Sequence, residues 1–297
     1  MKNRLLFIIN RHSGRHYRQS LEREIMARSK QCGLQATLEF TGHPGHATEL
    51  AARAAAANCP LVFAVGGDGT VNEVATGLVR TETTMGIVPR GSGNGLARHL
   101  QIPMNPIRAL DQLQAYRQVA MDAMRINGQY SFNVSGIGFD GYIARLFGQN
   151  GKRGLSGYAS LVLREFPRFR EFTIEAQLDG RAMHACAFIL AFANSSQFGN
   201  GANIAPAASV CDGRMDICLI SKPSYVQTPG FLRRLFMKQL DRSSLVKISR
   251  AREFKVIFEQ PMAYHLDGEP FEPSRHFSVK LEPACLKILV PARVKHV

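Results

Sequence analysis

With 297 residues the chain is long enough for two domains of ordinary size or one large one, and 45% apolar beside 20% charged residues is the balance of a protein with a substantial core. A net charge of +14 predicts attraction to phosphates or to an anionic membrane surface. The basic residues are spread along the chain without a Lys/Arg tail, and no helix-turn-helix, zinc-finger or RNP signature is present, so nucleic acid is not the expected partner.

Six cysteines (Cys32, Cys59, Cys186, Cys211, Cys218 and Cys285) form no C-x-x-C pair and have no histidine at ligand spacing. They are expected to be reduced, mostly buried thiols of a cytoplasmic protein. The apolar run in "MKNRLLFIINRHSG" breaks at Asn10 and Arg11, which is short for a signal segment and suits a first buried strand. No stretch approaches the ~18 apolar residues of a membrane span, so any membrane contact is expected to be peripheral.

In chain order, "RLLFIIN" reads as a strand and Tyr17 to Lys30 as a helix, with Gly33 as its stop. "ATLEFT", the alanine-rich "ATELAARAAAAN", "LVFAV", a further helix and "MGIVP" follow. Strands alternating with helices imply βαβ units and a parallel sheet, and the unbroken apolar runs suit strands covered on both faces. Beyond about residue 122 the texture changes. "FTIEAQLDGRAMHACAFILAFAN" reads as two strands joined by an Asp179-Gly180 turn, and further Asp-Gly pairs begin at Asp140, Asp212 and Asp267. This half is expected to be an antiparallel sheet domain with helical inserts near 141–169 and 224–241.

"LVFAVGGDGTVNEV" sets Gly66, Gly67 and Gly69 in a turn between a strand ending at Val65 and a helix beginning near Val71. Thr70 with Glu73 has the spacing of a capping box. The turn falls at the carboxyl end of a parallel strand, where open α/β sheets bind ligands, and glycines let backbone N–H groups reach a phosphate. A bare carboxylate there repels phosphate. Asp68 therefore either holds a magnesium-nucleotide, through the metal or its waters, or is a solvent-facing turn residue. "MGIVPRGSGNGLARHL" repeats the arrangement with Gly91, Ser92, Gly93 and Asn94, at neither P-loop nor clean dinucleotide-fingerprint spacing. "NRHSGR" adds Asn10, Ser13, Gly14 and Arg15 after the first strand, with Arg15 able to pair with a phosphate.

"GGDGTVNEV", then "PRGSGNGLAR", with "NRHSG" upstream and "LDGEP" downstream, closely resembles the diacylglycerol kinase catalytic superfamily, which includes soluble bacterial lipid kinases and the sphingosine kinases. "GGDGT" alone also resembles NAD kinases and phosphofructokinases; the ordered set is specific and covers nearly the whole chain. The resemblance implies a Rossmann-like α/β nucleotide-binding domain over residues 1–122, rejoined by 283–297, and a β-sandwich lipid-substrate domain over 123–282. It implies an ATP-dependent lipid kinase using magnesium, with diacylglycerol as the favoured acceptor. Thr41, Gly66 to Asn72 (with Asp68, Gly69 and Thr70 between) and Gly91 to Asn94 become the nucleotide contacts.

The resemblance also makes Glu269 the proton acceptor, although Asp267-Gly268 on its own reads as one more hairpin turn. It makes the Asp212 carboxylate and the carbonyls of Ser209 and Arg214 ligands of a structural magnesium, where the bland reading is a turn into "MDICLI". Asp122 is a lesser candidate for a water link to the catalytic metal. Two positions depart from the family: "GSGN" is closer to the sphingosine kinase type than to many bacterial diacylglycerol kinases, and Arg15 stands where lysine is frequent. A sphingoid-base kinase, an NAD-kinase-like enzyme and a non-catalytic nucleotide- or lipid-binding protein are the alternatives. "GFLRRLFMKQLDR" reads as a basic amphipathic helix, able to lie on an anionic bilayer or to pack with a solvated basic face. The expected setting is cytoplasmic with peripheral membrane association; a homodimer is compatible with the sequence.

Overall fold

The structure is a computed structural model and describes residues 4–14, 17–149 and 155–294. The chain divides into two compact units, Met1–Asp122 with Pro283–Val297, and Ala123–Glu282.

Unit 1 opens with β1 (Arg4–Ile9), α1 (Ser20–Gln31), β2 (Gln35–Phe40), α2 (His46–Ala56), β3 (Leu61–Gly66), α3 (Asp68–Leu78) and β4 (Thr84–Pro89). The short helices α4 (Gly95–His99) and α5 (Pro106–Asp111) then lead into β5 (Tyr116–Ile126). The sheet runs β2-β1-β3-β4, with all neighbours parallel. Leu5, Phe7, Ile9, Phe63, Val65 and Val88 form a buried cluster with Leu21 and Ile25 of α1, as expected of strands covered by helices. The helix after β1 begins at Ser20, later than the periodicity from Tyr17 suggests, and Tyr17 stays outside it.

The helix after β3 begins at Asp68 rather than near Val71, with Gly67 as its N-cap. The Thr70–Glu73 capping box does not form. Thr70 lies inside the first turn, and its Oγ1 accepts from Asn10 Nδ2 at 3.1 Å. The Glu73 carboxylate caps a different helix, accepting from Ala47 N–H in the first turn of α2 at 3.1 Å.

Unit 2 continues with β6 (Gln129–Ser131), β7 (Val134–Gly138), α6 (Phe139–Gln149), α7 (Leu155–Glu165), β8 (Phe172–Leu178), β9 (Arg181–Ala187) and β10 (Ile189–Ala193). Next come β11 (Met215–Ile220), α8 (Thr228–Phe236), β12 (Val246–Ala251), β13 (Glu253–Leu266) and β14 (Glu269–Pro291). Its pairings are antiparallel, in the order β12-β11-β10-β7-β13-β14, with β8 attached to β13 and β9 to β8. The start of β13 pairs with β8 and its end with β7, while the register to β14 shifts between Ile257 and Tyr264. Such bulges bend a strand and let it serve both layers of a sandwich. Pro261, which has no N–H to donate, falls in the irregular stretch. Ile174, Leu190, Phe192, Ile217, Phe254 and Phe277 fill the core between the layers. The fold is thus an α/β unit with a parallel sheet and an antiparallel β-sandwich unit.

Asp179-Gly180 does close the β8–β9 hairpin, with Leu178 opposite Arg181. Both turn residues have positive φ (46° and 79°), as a two-residue primed turn requires. Asp140-Gly141 is not a turn; it lies in the first turn of α6. The cysteines are free but not mostly buried. Cys218 and Cys285 are buried, Cys32 and Cys59 are half-buried, and Cys186 and Cys211 are exposed because they alternate outward from a sheet and sit on a surface loop.

Candidate active site

In unit 1 the chain runs from β1 outward to β2, then returns across β1 to β3, so the crevice of this open sheet lies at the carboxyl ends of β1 and β3. Three loops meet there. Asn10 N–H donates to Val65 O at 3.0 Å and Arg90 N–H to Gly66 O at 2.7 Å, which ties the loop after β1 and the loop after β4 to the end of β3. Thr41, half-buried after β2, donates its N–H to Ile9 O.

The approach is too close for side chains. A Cβ on Gly91 would lie 2.6 Å from Gly67 Cα, and one on Gly67 would lie 3.2 Å from Ser13 Oγ. Gly14 has φ +79°, and a Cβ there would stand 2.4 Å from Arg90 O. Arg15 lies outside the described residues. Asn94, buried with φ 50°, closes the second turn on itself: its Oδ1 accepts from Gly91 N–H at 3.0 Å and its Nδ2 donates to Gly91 O at 2.7 Å. Ser92 is exposed at the tip, the Gly93 carbonyl accepts from Arg98 Nε, and Gly69 and half-buried Asn72 lie in the first turns of α3.

Asp68 is half-buried, and its carboxylate is engaged by the neighbouring turn rather than left to solvent. Its Oδ2 accepts from Asn94 N–H at 2.8 Å and its Oδ1 from Gly95 N–H at 2.7 Å, so it caps α4 from the neighbouring turn. Its charge therefore has a partner in backbone amides without any cation. Each carboxylate oxygen accepts more than one hydrogen bond, so a water of a hydrated magnesium still fits beside these amides.

Two residues that the sequence reading passed over flank the loops. The Arg90 guanidinium lies over the Tyr17 ring, 4.7 Å from its centre, and burial lowers its pKa from the usual arginine value. Burial and a hydrogen bond to Glu22 push the Tyr17 phenol up to about 12. Arg90 directly follows the strand "MGIVP", and that position was the available signal for a cation at the strand's mouth. Asp122 is buried and its Oδ1 accepts from Ala284 N–H at 2.7 Å, binding the returning chain end within unit 1.

In unit 2, Asp267 and Gly268 form a two-residue turn between β13 and β14, with Leu266 opposite Glu269 and φ of 50° and 94°. The hairpin reading of Asp267-Gly268 is thus correct, and it leaves Glu269 exposed at the first position of β14. The turn is held from below. Buried Asp267 accepts from Ser131 Oγ at 2.7 Å and from the N–H groups of Phe132 and Asn133 at 2.9 Å each. Gly268 N–H donates to His265 Nδ1 at 3.1 Å, and His265 Nε2 stands 3.3 Å from Asp140 Oδ2. Since Nδ1 accepts, the ring proton sits on Nε2 and points to Asp140. Ser131, Asn133 and Ser135 alternate along an apolar segment, "YSFNVSGIG", a period-two polar face that was legible and was not read as a site.

The third cluster is the loop before β11. Arg214 N–H donates to Asp212 Oδ1 at 3.0 Å, and Ser209 Oγ accepts from Cys211 N–H. Arg250 on β12 stands between two carboxylates, 3.8 Å from Asp212 Oδ2 and 3.3 Å from Asp216 Oδ1, and also donates to Ala207 O. The carboxylates and carbonyls suit a hard cation. Arg250 already supplies part of the positive charge, a partner the sequence reading did not foresee.

Comparison with known proteins agrees with these loops and this sandwich. Residues 4–126 match the diacylglycerol kinase catalytic domain, and residues 133–290 match the YegS C-terminal NAD kinase beta sandwich-like domain. The chain belongs to this family of lipid kinases. It is 28% identical to the "Probable lipid kinase YegS-like" of Xanthomonas euvesicatoria pv. vesicatoria over 91% of each chain. It is 27% identical to the "Diacylglycerol kinase" of Bacillus subtilis, covering 90% of this chain and 89% of that protein. A crystal structure of a diacylglycerol kinase from Bacillus anthracis has the same fold, with a TM-score of 0.77, 20% identity and 98% of each chain covered.

Proposed function

We propose that this lipid kinase passes the γ-phosphate of ATP to a lipid hydroxyl, with diacylglycerol the first acceptor to test. The observation that carries the reading is the meeting of the loops after β1, β3 and β4 at the sheet's switch point. Gly67 and Gly91 leave no side chain between their backbones and a phosphate, and α3 points its N-terminus there. Arg90 adds a fixed cation beside the loops. Asn10, Ser13, Gly14 and Thr41, with Gly66, Gly67, Thr70, Asn72 and the Gly91–Asn94 turn, form the nucleotide contacts.

Phosphoryl transfer asks for positioning and charge stabilisation more than for covalent chemistry. Magnesium, when bound, would neutralise the transferring phosphates, and Asp68 would hold it through a coordinated water. Glu269 accepts the proton of the attacking hydroxyl, which requires a carboxylate fixed in place yet open to the acceptor. The anchored turn and the exposed position of Glu269 supply both conditions. Ser209, Asp212 and Arg214 would hold a second, structural cation beside Arg250.

The Asn94 side chain of the Gly-Ser-Gly-Asn turn is engaged within its own loop, and the choice between diacylglycerol and a sphingoid base is made by assay. A lipid panel tests the reading: labelled ATP with diacylglycerol, a sphingoid base and NAD, followed by chromatography of the products. Label in the diacylglycerol product is expected. Label confined to NAD, or to no product, overturns the proposal.

A further inference from the structure

The segment around α8 takes no part in the loops or the hairpin turn. Its periodicity suggests a single apolar face of Phe231, Leu232, Leu235, Phe236 and Leu240, but the structure splits that face in two. Phe231 and Leu235 pack against a core that includes Val134, Ile204 and Cys218, and Leu240 is fully buried. Leu232, Phe236 and Met237 point away from that core and are 45%, 56% and 54% exposed. In the preceding loop Tyr225 is 73% and Val226 91% exposed, so the outward apolar surface extends beyond the helix.

Cations are interleaved with it. Arg233, Arg234, Lys238 and Arg242 are all exposed, against one acid, Asp241, between residues 223 and 242. Arg234 Nη1 donates to Arg242 O at 2.6 Å, which fixes one guanidinium against the end of the segment. Aliphatic and aromatic tips ringed by guanidinium and ammonium groups match a lipid interface, where acyl chains and anionic headgroups meet at one depth. Nucleic acid would use the cations but would leave Val226, Leu232 and Phe236 in water.

We propose that Tyr225, Val226, Leu232, Phe236 and Met237, with the surrounding basic residues, form the surface by which this protein docks on an anionic bilayer. The surface inserts its apolar tips at the headgroup boundary while the cations hold lipid phosphates. The inference rests on the lipid-acceptor reading, and its test is kept apart from turnover.

The full chain is sedimented, without ATP, with phosphatidylcholine vesicles that contain or lack phosphatidylglycerol. Binding is expected only to the anionic vesicles. Leu232→Asp combined with Phe236→Asp should weaken it about tenfold or more, since two apolar side chains no longer leave water. Arg233→Gln should weaken it about fivefold, the share of one basic residue near an anionic surface. Ile257→Asp, at another exposed apolar position (68%), should change nothing. Turnover of a short-chain lipid dispersed as monomers should be the same in all four proteins, which shows that each variant is folded and that the chemistry is separate. Equal vesicle binding by wild type and the double variant overturns the proposal, as does a wild type that binds neither vesicle. A wild-type dimer that the double variant splits would instead make this a contact between copies, and retention on nucleic acid that Arg233→Gln abolishes would make it a nucleic-acid surface.

Discussion

Asp68 has one observed task and one proposed task. It joins two turns that are far apart in sequence, through amides of Asn94 and Gly95, and in the proposed function it also steadies magnesium. Asp68→Ala leaves those amides without their acceptor, at a cost of about 1–3 kcal/mol for such a group. A lower melting temperature is therefore expected whether or not a cation is involved. The catalytic role is read separately, by calorimetry of ATP with and without magnesium. Wild type should prefer the magnesium complex and Asp68→Ala should lose that preference; an equal preference in both reduces Asp68 to a strut. Glu269→Gln should lower kcat by about 100-fold or more, the usual share of a general base, while ATP affinity stays within a few-fold. Near-normal turnover removes Glu269 from the chemistry. The sequence made Asp68 visible but not its destination, because its partners lie on the next strand's turn and meet it only once β3 and β4 pair in parallel.

Two elements are held by long-range polar contacts. The β13–β14 turn rests on His265, whose Nδ1 accepts from Gly268 N–H while Asp140 receives the other side of the ring. In the proposed function His265 is a positioning residue for Glu269. His265→Ala should reduce kcat by about tenfold to a hundredfold without changing KM for ATP. His265→Asn should recover most of it, because its Oδ1 is placed to accept the same N–H; recovery by Ala as good as by Asn would show that the turn needs no brace. The loop from Ser209 to Arg214 behaves differently, because Arg250 already stands between Asp212 and Asp216. If a cation also sits there, a chelator should lower the melting temperature of wild type and leave Asp212→Ala unaffected. Equal sensitivity of the two assigns the loop's order to Arg250 alone. At this scale the alternation of strand, glycine turn and helix was readable from local spacing. The helix starts were not, because Glu73 was drawn to α2 and Thr70 to Asn10, choices made by tertiary neighbours.

On the scale of the whole molecule the decisive feature is β14, which begins at Glu269 in unit 2 and ends at Pro291 in unit 1. Its Lys287 and Ile288 lie parallel to Thr84 and Met85 of β4, Cys285 O accepts from Arg80 N–H at 2.7 Å, and Ala284 N–H donates to Asp122. A chain ending after Glu282 should lose nucleotide binding and aggregate, since β4 keeps an open edge and Asp122 loses that amide. Nucleotide affinity equal to that of the full chain in a soluble truncated protein would show the edge to be dispensable. The same strand sets a timetable for synthesis. Unit 1 leaves the ribosome first but waits for Ala123–Glu282 to be made, on the order of ten to thirty seconds at ordinary elongation rates, before its last strand arrives. Through that interval the nascent chain carries an uncovered parallel edge at β4, the kind of unpaired edge that chaperones shield. In the proposed function the half that holds ATP is thus made first, and its sheet is completed last, by residues translated after the Asp267-Gly268 turn.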